Sequence, residues 1–393
     1  MDAVRNPFTP GAGMRPPALV GRDQHIRDMD VALQRLLVGR PARGQLLTGR
    51  RGVGKTVLLN EFERLAERHG FCHGHIEVAE DGELAGRLAR ALHMTLLEMD
   101  ARRSIGERVR RALGVLKAFS IRLPGGPEIG RDIQPVAGPA DSGDLAYDLA
   151  GLFVEVGTVA RDHGCSVLLT IDELHHVPVK VLPALVLGLH RANQLGLPIL
   201  VAGAALPSLP TLVGEAKSYA ERMFTSSEVG SLTGADAALA LVEPCRAEGV
   251  RWMPEALEGA LARASGHPYF LQEFGKHAWD VSDGPDIITV GDVQRATPLA
   301  LASLDGGFFQ AHTGRVSEQE RRYLRAMAEV GMPAKSAGVA AILRRHPRSL
   351  GPVRDRLLKK ALCYAPRWGE LDFTAPMFDA FVKRWLPWPP PSS

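Results

Sequence analysis

A chain of 393 residues, with 45% hydrophobic and 23% charged residues, has apolar mass for about two or three packed domains; a disordered or fibrous polypeptide is excluded. The formal net charge is only +3, so no whole-chain electrostatic case for nucleic acid follows. Cys72, Cys165, Cys245 and Cys363 stand far apart without metal-ligand spacing, which excludes a disulfide-stapled scaffold and leads us to expect reduced thiols and a cytoplasmic location. The first residues show no signal-peptide core, and the apolar stretch 181–189 is far short of a bilayer span, so no membrane contact is expected.

Residues 6–17 are rich in Pro and Gly and should be extended. They lead into Leu19-Val20-Gly21-Arg22-Asp23, after which a helix is expected over 24–37. Gln45-Leu46-Leu47-Thr48 reads as a short buried strand and runs into Gly49-Arg50-Arg51-Gly52-Val53-Gly54-Lys55-Thr56, the pattern G-x-x-x-x-G-K-T. Glycines let this backbone curl so that successive N–H groups point into one anion-sized hollow. Lys55 then reaches the β/γ-phosphates of a nucleoside triphosphate, and the Thr56 hydroxyl ligates magnesium. From Thr56 and Val57 onward, residues 56–66 read as an amphipathic helix with Leu58, Phe62 and Leu65 on one stripe. The positive end of its dipole adds to the phosphate site. ATP and Mg2+ are the expected ligands.

A strand is expected near 71–78 and a helix over 81–100. Residues 101–117 carry Arg102, Arg103, Arg108, Arg110, Arg111 and Lys117 against one acid, Glu107: a solvated helix face, or a surface for DNA or a partner. The segment 119–141, with several Gly and Pro, reads as an insertion forming a small hairpin. A helix over 144–163 turns Leu145, Leu149, Leu152, Phe153 and Val156 inward. The run Ser166-Val167-Leu168-Leu169-Thr170-Ile171 is apolar almost throughout, the mark of a strand covered on both faces in a parallel sheet. It closes on Asp172 and Glu173. Asp172 is expected to hold Mg2+ through water and Glu173 to polarise the attacking water. His175 and His176 follow and read as loop or helix-start residues rather than ligands. A second buried run is 197–203, and strands alternating with helices imply an α/β sandwich. Arg222 reads either as an arginine finger at a neighbour's nucleotide or as a local salt-bridge residue.

After about residue 230 the pattern becomes helices only. Thr233-Gly234-Ala235-Asp236 reads as a capping box, Pro254 opens a helix that should stop at Gly266, Pro268 opens another, and Thr289 caps a fourth. Residues 315–386 read as a winged helix, with helices over 317–330, 336–343 and 349–360 and wing strands 362–365 and 370–374 around Arg367-Trp368-Gly369. Between 317 and 384 stand 14 Lys/Arg against 7 Asp/Glu. Arg344, Arg345, Arg348, Arg354, Arg356, Lys359 and Lys360 crowd the second and third of these helices, a face for double-stranded DNA or, alternatively, for a protein. Residues 387–393 read as a loose tail.

The Leu19-Val20-Gly21-Arg22 box, the Walker pair (the G-x-x-x-x-G-K-T loop and Asp172-Glu173) and the helical segment after them resemble AAA+ ATPases of the origin-recognition type, which overlap with the STAND-class signalling ATPases. Ser265-Gly266-His267-Pro268-Tyr269-Phe270-Leu271-Gln272 is similar to the lid segment of that group. The resemblance covers residues 6–300. It implies that Val20, Gly21 and Arg22 lie by the adenine, that Pro268 and Tyr269 close over the base, and that 202–208 is the sensor-1 strand end. This chain departs from the pattern there, with small apolar residues in place of Asn or Thr, and its nearest sensor-2 candidate is Arg263. The expected fold is therefore α/β: a P-loop NTPase (AAA+) parallel sheet sandwiched by helices, a helical lid and a C-terminal winged-helix domain. The expected divisions are 1–24 linker with adenine-side box, 25–229 core, 230–308 lid, 309–386 winged helix and 387–393 tail. The expected function is a Mg-dependent, slow ATPase, with Lys55, Glu173 and Arg222 as its catalytic residues, whose nucleotide state switches DNA or protein binding. The alternatives are a non-catalytic ATP-bound DNA-binding regulator and a STAND-type scaffold that self-associates on ATP.

Overall fold

Apolar strands that alternate with helices hide both faces when crossover helices cover a parallel sheet, and the chain does this. A computed structural model describes residues 1–103, 106–123, 125–130, 132–207, 209, 223–314 and 316–386. It divides into two units, one of Arg22–Gly49 and Lys55–Glu228, the other of Met1–Gly21, Arg50–Gly54 and Val229–Ser393.

In the first unit the order is α1 (Asp23–Leu37), β1 (Gly44–Thr48), α2 (Lys55–Arg68), β2 (Cys72–Glu77), α3 (Ala85–Arg103), α4 (Glu107–Arg122), α5 (Leu145–Asp162), β3 (Val167–Asp172), a 3-10 turn (Leu174–His176), α6 (Leu182–Gln194), β4 (Ile199–Ala205) and β5 (Phe224–Glu228). The five strands form one sheet in the order β2-β3-β4-β1-β5. Every pairing is parallel, with Cys72 opposite Val167, Val167 opposite Ile199 and Leu46 opposite both Gly203 and Ser226. All residues of β3 are buried, as expected for a strand covered on both faces. Because the strands run the same way, the carboxyl ends of β1 and β3 share one edge of the sheet, where open α/β sheets bind ligands.

One sequence expectation changes here. The segment 119–141 forms no hairpin among the described residues. Its first residues continue α4, and the rest is pinned to that helix by single bonds: Val136 N–H donates to the Gly114 carbonyl at 2.9 Å, and Lys117 Nζ donates to the Gly130 and Ile133 carbonyls. In the basic run, Arg108 pairs with Asp162 and Arg111 with Glu155 while both stay largely exposed, as a solvated helix face would have them. β5 was not anticipated. Its sequence, Phe-Thr-Ser-Ser-Glu, buries only Phe224, as suits an edge strand.

The second unit begins with the N-terminal segment. Phe8 packs so closely on Gly275 that a Cβ there would lie 2.6 Å from the Phe8 ring. Then follow α7 (Gly234–Ala247), β6 (Arg251–Trp252), α8 (Pro254–Ala264), α9 (Pro268–Val281), β7 (Ile287–Ile288), α10 (Val290–Ser303), a π-helical turn (Leu304–Phe309) and α11 (Gln310–Thr313). Helices do not stand alone here, because β6 and β7 pair in parallel. Thr289 and Asp292 make a full capping box, and Thr233 accepts the Asp236 N–H at the start of α7. α8 ends two residues before Gly266, at Ala264, with Ser265 in a left-handed cap.

The remaining order is α12 (Glu318–Val330), β8 (Ala334–Lys335), α13 (Ser336–Ile342), α14 (Gly351–Lys359), β9 (Cys363–Tyr364), β10 (Glu370–Phe373) and α15 (Phe378–Trp385). The strands form an antiparallel sheet in the order β8-β10-β9, over a core that includes Tyr323, Leu324, Met327, Leu357, Phe373 and Phe381. Part of the basic crowd is structural. Arg356 and Lys360, themselves at the surface, reach the buried Glu320 carboxylate at 3.1 and 2.7 Å; Arg344, Arg345, Arg348 and Lys359 are exposed as well. Trp368, between β9 and β10, is 100% exposed. Among the described residues no helix is long and apolar enough to cross a membrane.

Candidate nucleotide site

The end of β1 delivers Gly49, whose N–H donates to the Ala205 carbonyl at the end of β4 at 3.2 Å. Lys55 opens α2 and is only 7% exposed; its Nζ donates to the Gly49 carbonyl at 2.9 Å. A lysine held against the start of its own loop is aimed at that loop's hollow rather than at solvent. Thr56 and Asp172, 116 residues apart in sequence, meet through a 2.6 Å hydrogen bond from the hydroxyl to Asp172 Oδ2. Two oxygens on one octahedral magnesium ion lie about 2.9 Å apart, so the pair fits a shared Mg2+, directly or through one water. Asp172 Oδ1 also accepts the Glu173 N–H at 2.7 Å.

Glu173 leaves the strand in the left-handed region, at φ 56° and ψ 36°. A non-glycine residue there carries strain of about 1–3 kcal/mol, a common feature of functional turns. The turn swings the carboxylate off the sheet edge toward the 3-10 turn that follows, where Glu173 Oε2 lies 3.0 Å from His175 Nε2 and 3.9 Å from His176 Nε2.

The middle of the Gly-rich loop groups with the other unit. Arg50 Nη2 lies 2.5 Å from Asp372 Oδ2 and donates to the Tyr364 hydroxyl at 3.2 Å; Tyr364 in turn donates to Asp372. The Arg50 guanidinium also lies 5.8 Å from the centre of the Tyr364 ring. Burial pushes the Tyr364 hydroxyl's pKa upward against the pull of Arg50. One residue on, Arg51 N–H donates to the Thr374 carbonyl at 3.0 Å, and His267 Nε2 donates to the Arg51 carbonyl at 2.8 Å. Gly52 has φ +74° and abuts His267; a Cβ there would lie 2.6 Å from His267 Cε1. Asp372, Thr374 and His267 were not singled out as site residues from sequence. The Pro268 that follows His267 signals only that the His267 backbone is extended, which sequence spacing does not turn into a contact with the loop.

The other expected site residues fall as follows. Val53, Val57 and Arg22 are buried, and Gly54 has φ +97°. Gly21, at φ +66°, lies against the α7 cap, where a Cβ would come within 2.8 Å of Asp236 Oδ2; Val20 packs on the same unit's core. Pro268 is the first residue of α9. Tyr269 stacks on Phe308 with ring centres 5.0 Å apart, and burial, with Glu273 beside it, pushes its pKa up to about 12. Arg263 donates to the Gly259 carbonyl of its own helix at 2.6 Å. Arg222 and Ser208 lie outside the described residues.

Residues 18–202 match the family described as "AAA ATPase domain", and residues 306–382 match "Domain of unknown function (DUF8462)". No curated protein matches the sequence. Among solved structures, a Walker-type ATPase of Pyrococcus abyssi superposes with a TM-score of 0.62 at 17% identity, covering 93% of this chain and 96% of that one. Cdc6p from Pyrobaculum aerophilum gives 0.49 at 14% identity over 98% and 97%, and the RuvB Holliday junction branch migration motor of Thermotoga maritima 0.46 at 15% over 94% and 98%. At these identities the likeness is one of fold, and it rests on the first of the three. The stretch 18–202, which carries the Gly-rich loop, Lys55, Thr56 and Asp172 on a parallel sheet, thus matches the AAA ATPase domain family, and the chain has the fold of an AAA+ P-loop ATPase.

Proposed function

We propose that this protein is a slow Mg-dependent ATPase of the origin-recognition type whose nucleotide state is passed to a winged-helix domain, residues 309–386, and there switches binding of double-stranded DNA. The observation that carries this reading is the bond between Arg50, inside the phosphate-binding loop, and Asp372, on β10 of the C-terminal sheet. A cation that serves either a phosphate or Asp372 is a natural coupling element, because ATP can shift only those states that it binds unequally.

Lys55 and the amides of 49–56 would stabilise charge on the β- and γ-phosphates, and Thr56 with Asp172 would hold magnesium. Magnesium, when bound, neutralises charge on the phosphoryl oxygens. Glu173 would orient and polarise the attacking water, a role worth about 10²–10⁴ in rate. Val20, Gly21 and Arg22 would flank the adenine, with Pro268 and Tyr269 closing over it from a lid at 230–308. Arg222 would act as a finger toward a second copy's nucleotide, or pair locally. The exposed Arg344, Arg345, Arg348 and Lys359, with Trp368 at the tip of the wing, supply a face for phosphate contacts. The helix–strand–helix–helix–strand–strand order of 318–373 supports the winged-helix reading.

The test is binding of a labelled duplex to Glu173→Gln protein in ATP and in ADP over a salt series. The reading expects different affinities in the two nucleotides and a log–log salt slope that falls by about 0.9 for each contacting Arg replaced by Ala. Equal affinities in ATP and ADP would exclude a nucleotide-controlled DNA switch. A second reading, an ATP-holding regulator without turnover, is favoured by the small apolar residues Ala202-Gly203-Ala204-Ala205 at the end of β4 and by Arg263 being spent on its own helix. Multiple-turnover phosphate release separates the two.

A further inference from the structure

We propose that Glu173, His175 and His176 form a binding site for one divalent transition-metal ion of the zinc class, next to the acid that ends β3. One carboxylate oxygen and two imidazole nitrogens, one from each residue, all lie within 4.8 Å of one another. Two donors on a tetrahedral ion with bonds of about 2.0–2.1 Å are about 3.3 Å apart. The distances from Glu173 Oε2 to the two Nε2 atoms, 3.0 and 3.9 Å, bracket that value, so small side-chain rotations bring the donors onto one ion.

The backbone builds this convergence. The left-handed Glu173 reverses the chain after β3, and His176 N–H donates to the Glu173 carbonyl at 2.9 Å, closing a single 3-10 turn. Leu174 points the other way into the core, 4% exposed, in space left by Gly203, where a Cβ would lie 2.3 Å from Leu174 Cδ1. With Leu174 anchored, residues 173, 175 and 176 are left together. The imidazoles face each other with ring centres 4.2 Å apart, and the His175 side chain is only 5% exposed. Two imidazoles and a carboxylate suit zinc, and they suit magnesium poorly, since Mg2+ prefers an all-oxygen octahedron. Three protein donors leave a fourth position for water. Metal binding here does not depend on the nucleotide reading. Its consequence does: an ion on Glu173 Oε2 takes that carboxylate away from water polarisation, so zinc occupancy switches turnover off.

The experiment titrates tag-free, chelator-treated full-length protein with Co2+ alone. We expect one equivalent per chain with the intense visible bands of four-coordinate cobalt, displaced one for one by Zn2+ and untouched by millimolar Mg2+. His175→Gln and His176→Gln should each weaken binding by at least about tenfold, and the double variant should lose the bands. Thermal melts report whether the variants fold; His176 is the more exposed, so His176→Gln carries the test if His175→Gln does not fold. Lys55→Ala should keep the cobalt bands while losing ATP, which separates failure of the metal site from failure of the nucleotide reading. Zinc should slow phosphate release by wild type and spare His176→Gln. Bands that survive in the double variant, substoichiometric cobalt, or displacement by Mg2+ would overturn the site.

Discussion

Arg50 and Asp372, 322 residues apart in sequence, meet at 2.5 Å, so a residue of the phosphate-binding loop is held by a carboxylate of the C-terminal sheet. Asp372 is 9% exposed and also accepts from Tyr364 and from the Phe373 N–H, so its position is fixed on three sides. Asp372→Asn removes both a negative charge near the loop and the competitor for Arg50. ATP affinity should rise about tenfold, the size of one charged hydrogen bond, about 1.5 kcal/mol. Calorimetric titration of both proteins measures it, and an unchanged or weaker Kd contradicts a competing role for Asp372.

Glu173→Gln should keep nucleotide affinity within about twofold and lower turnover by about 10²–10⁴, because the amide still fits the turn but cannot take a proton from water. Single-turnover phosphate release checks this. Wild-type turnover in the variant would move the water-activating role elsewhere.

Gly52→Ala should damage the loop in two separable ways. The backbone is at φ +74°, and the new Cβ would press on His267. Each defect costs about 1–3 kcal/mol. Pairing it with His267→Ala removes the closest clash but leaves Phe308 Cε2 at 3.1 Å and the backbone strain, so the double variant should recover part of the lost ATP affinity. Recovery to wild type, or none, would contradict that split.

The Walker motifs and the elements that carry them were legible in the sequence because their residue types and spacings are local: a strand, a glycine loop and a helix start within 45–66, and two acids ending one apolar run. The parallel α/β sandwich followed from alternation of strand and helix, but the strand order β2-β3-β4-β1-β5 did not, because alternation leaves the crossovers open. What stayed hidden depends on contacts across long separations. His267 reaches the loop over 216 residues and Asp372 over 322, and no periodicity marks a residue that acts through one polar tip. β5 was hidden for a different reason: a polar edge strand has no apolar alternation to betray it. The count of basic residues near the C-terminus overstated the free positive face, because Arg356 and Lys360 are engaged by Glu320.

Glu320 gives a pH prediction. Burial acts to raise its pKa, yet hydrogen bonds from Lys360 and the Ser317 N–H win and hold it at about 2, against an ordinary value of 4.5. A carboxyl with a depressed folded pKa stabilises fully above its unfolded value and loses that stabilisation as pH falls toward the folded one. The unit that contains α12 should therefore weaken on acidification from about pH 4.5 to about 2. Glu320→Gln should cost about 1–3 kcal/mol at neutral pH and flatten the acid dependence. Thermal melts across that window decide it; a variant with the wild-type acid slope would mean another group controls it.

The proposed grip of Lys55, Thr56 and Asp172 on magnesium triphosphate is tested most directly by equilibrium binding of labelled ATP. Wild type should bind one ATP per chain saturably with Mg2+, weaken when Mg2+ is chelated, and lose binding in Lys55→Ala. Absence of Mg-dependent binding by folded wild-type protein, or equal binding by Lys55→Ala, would contradict it.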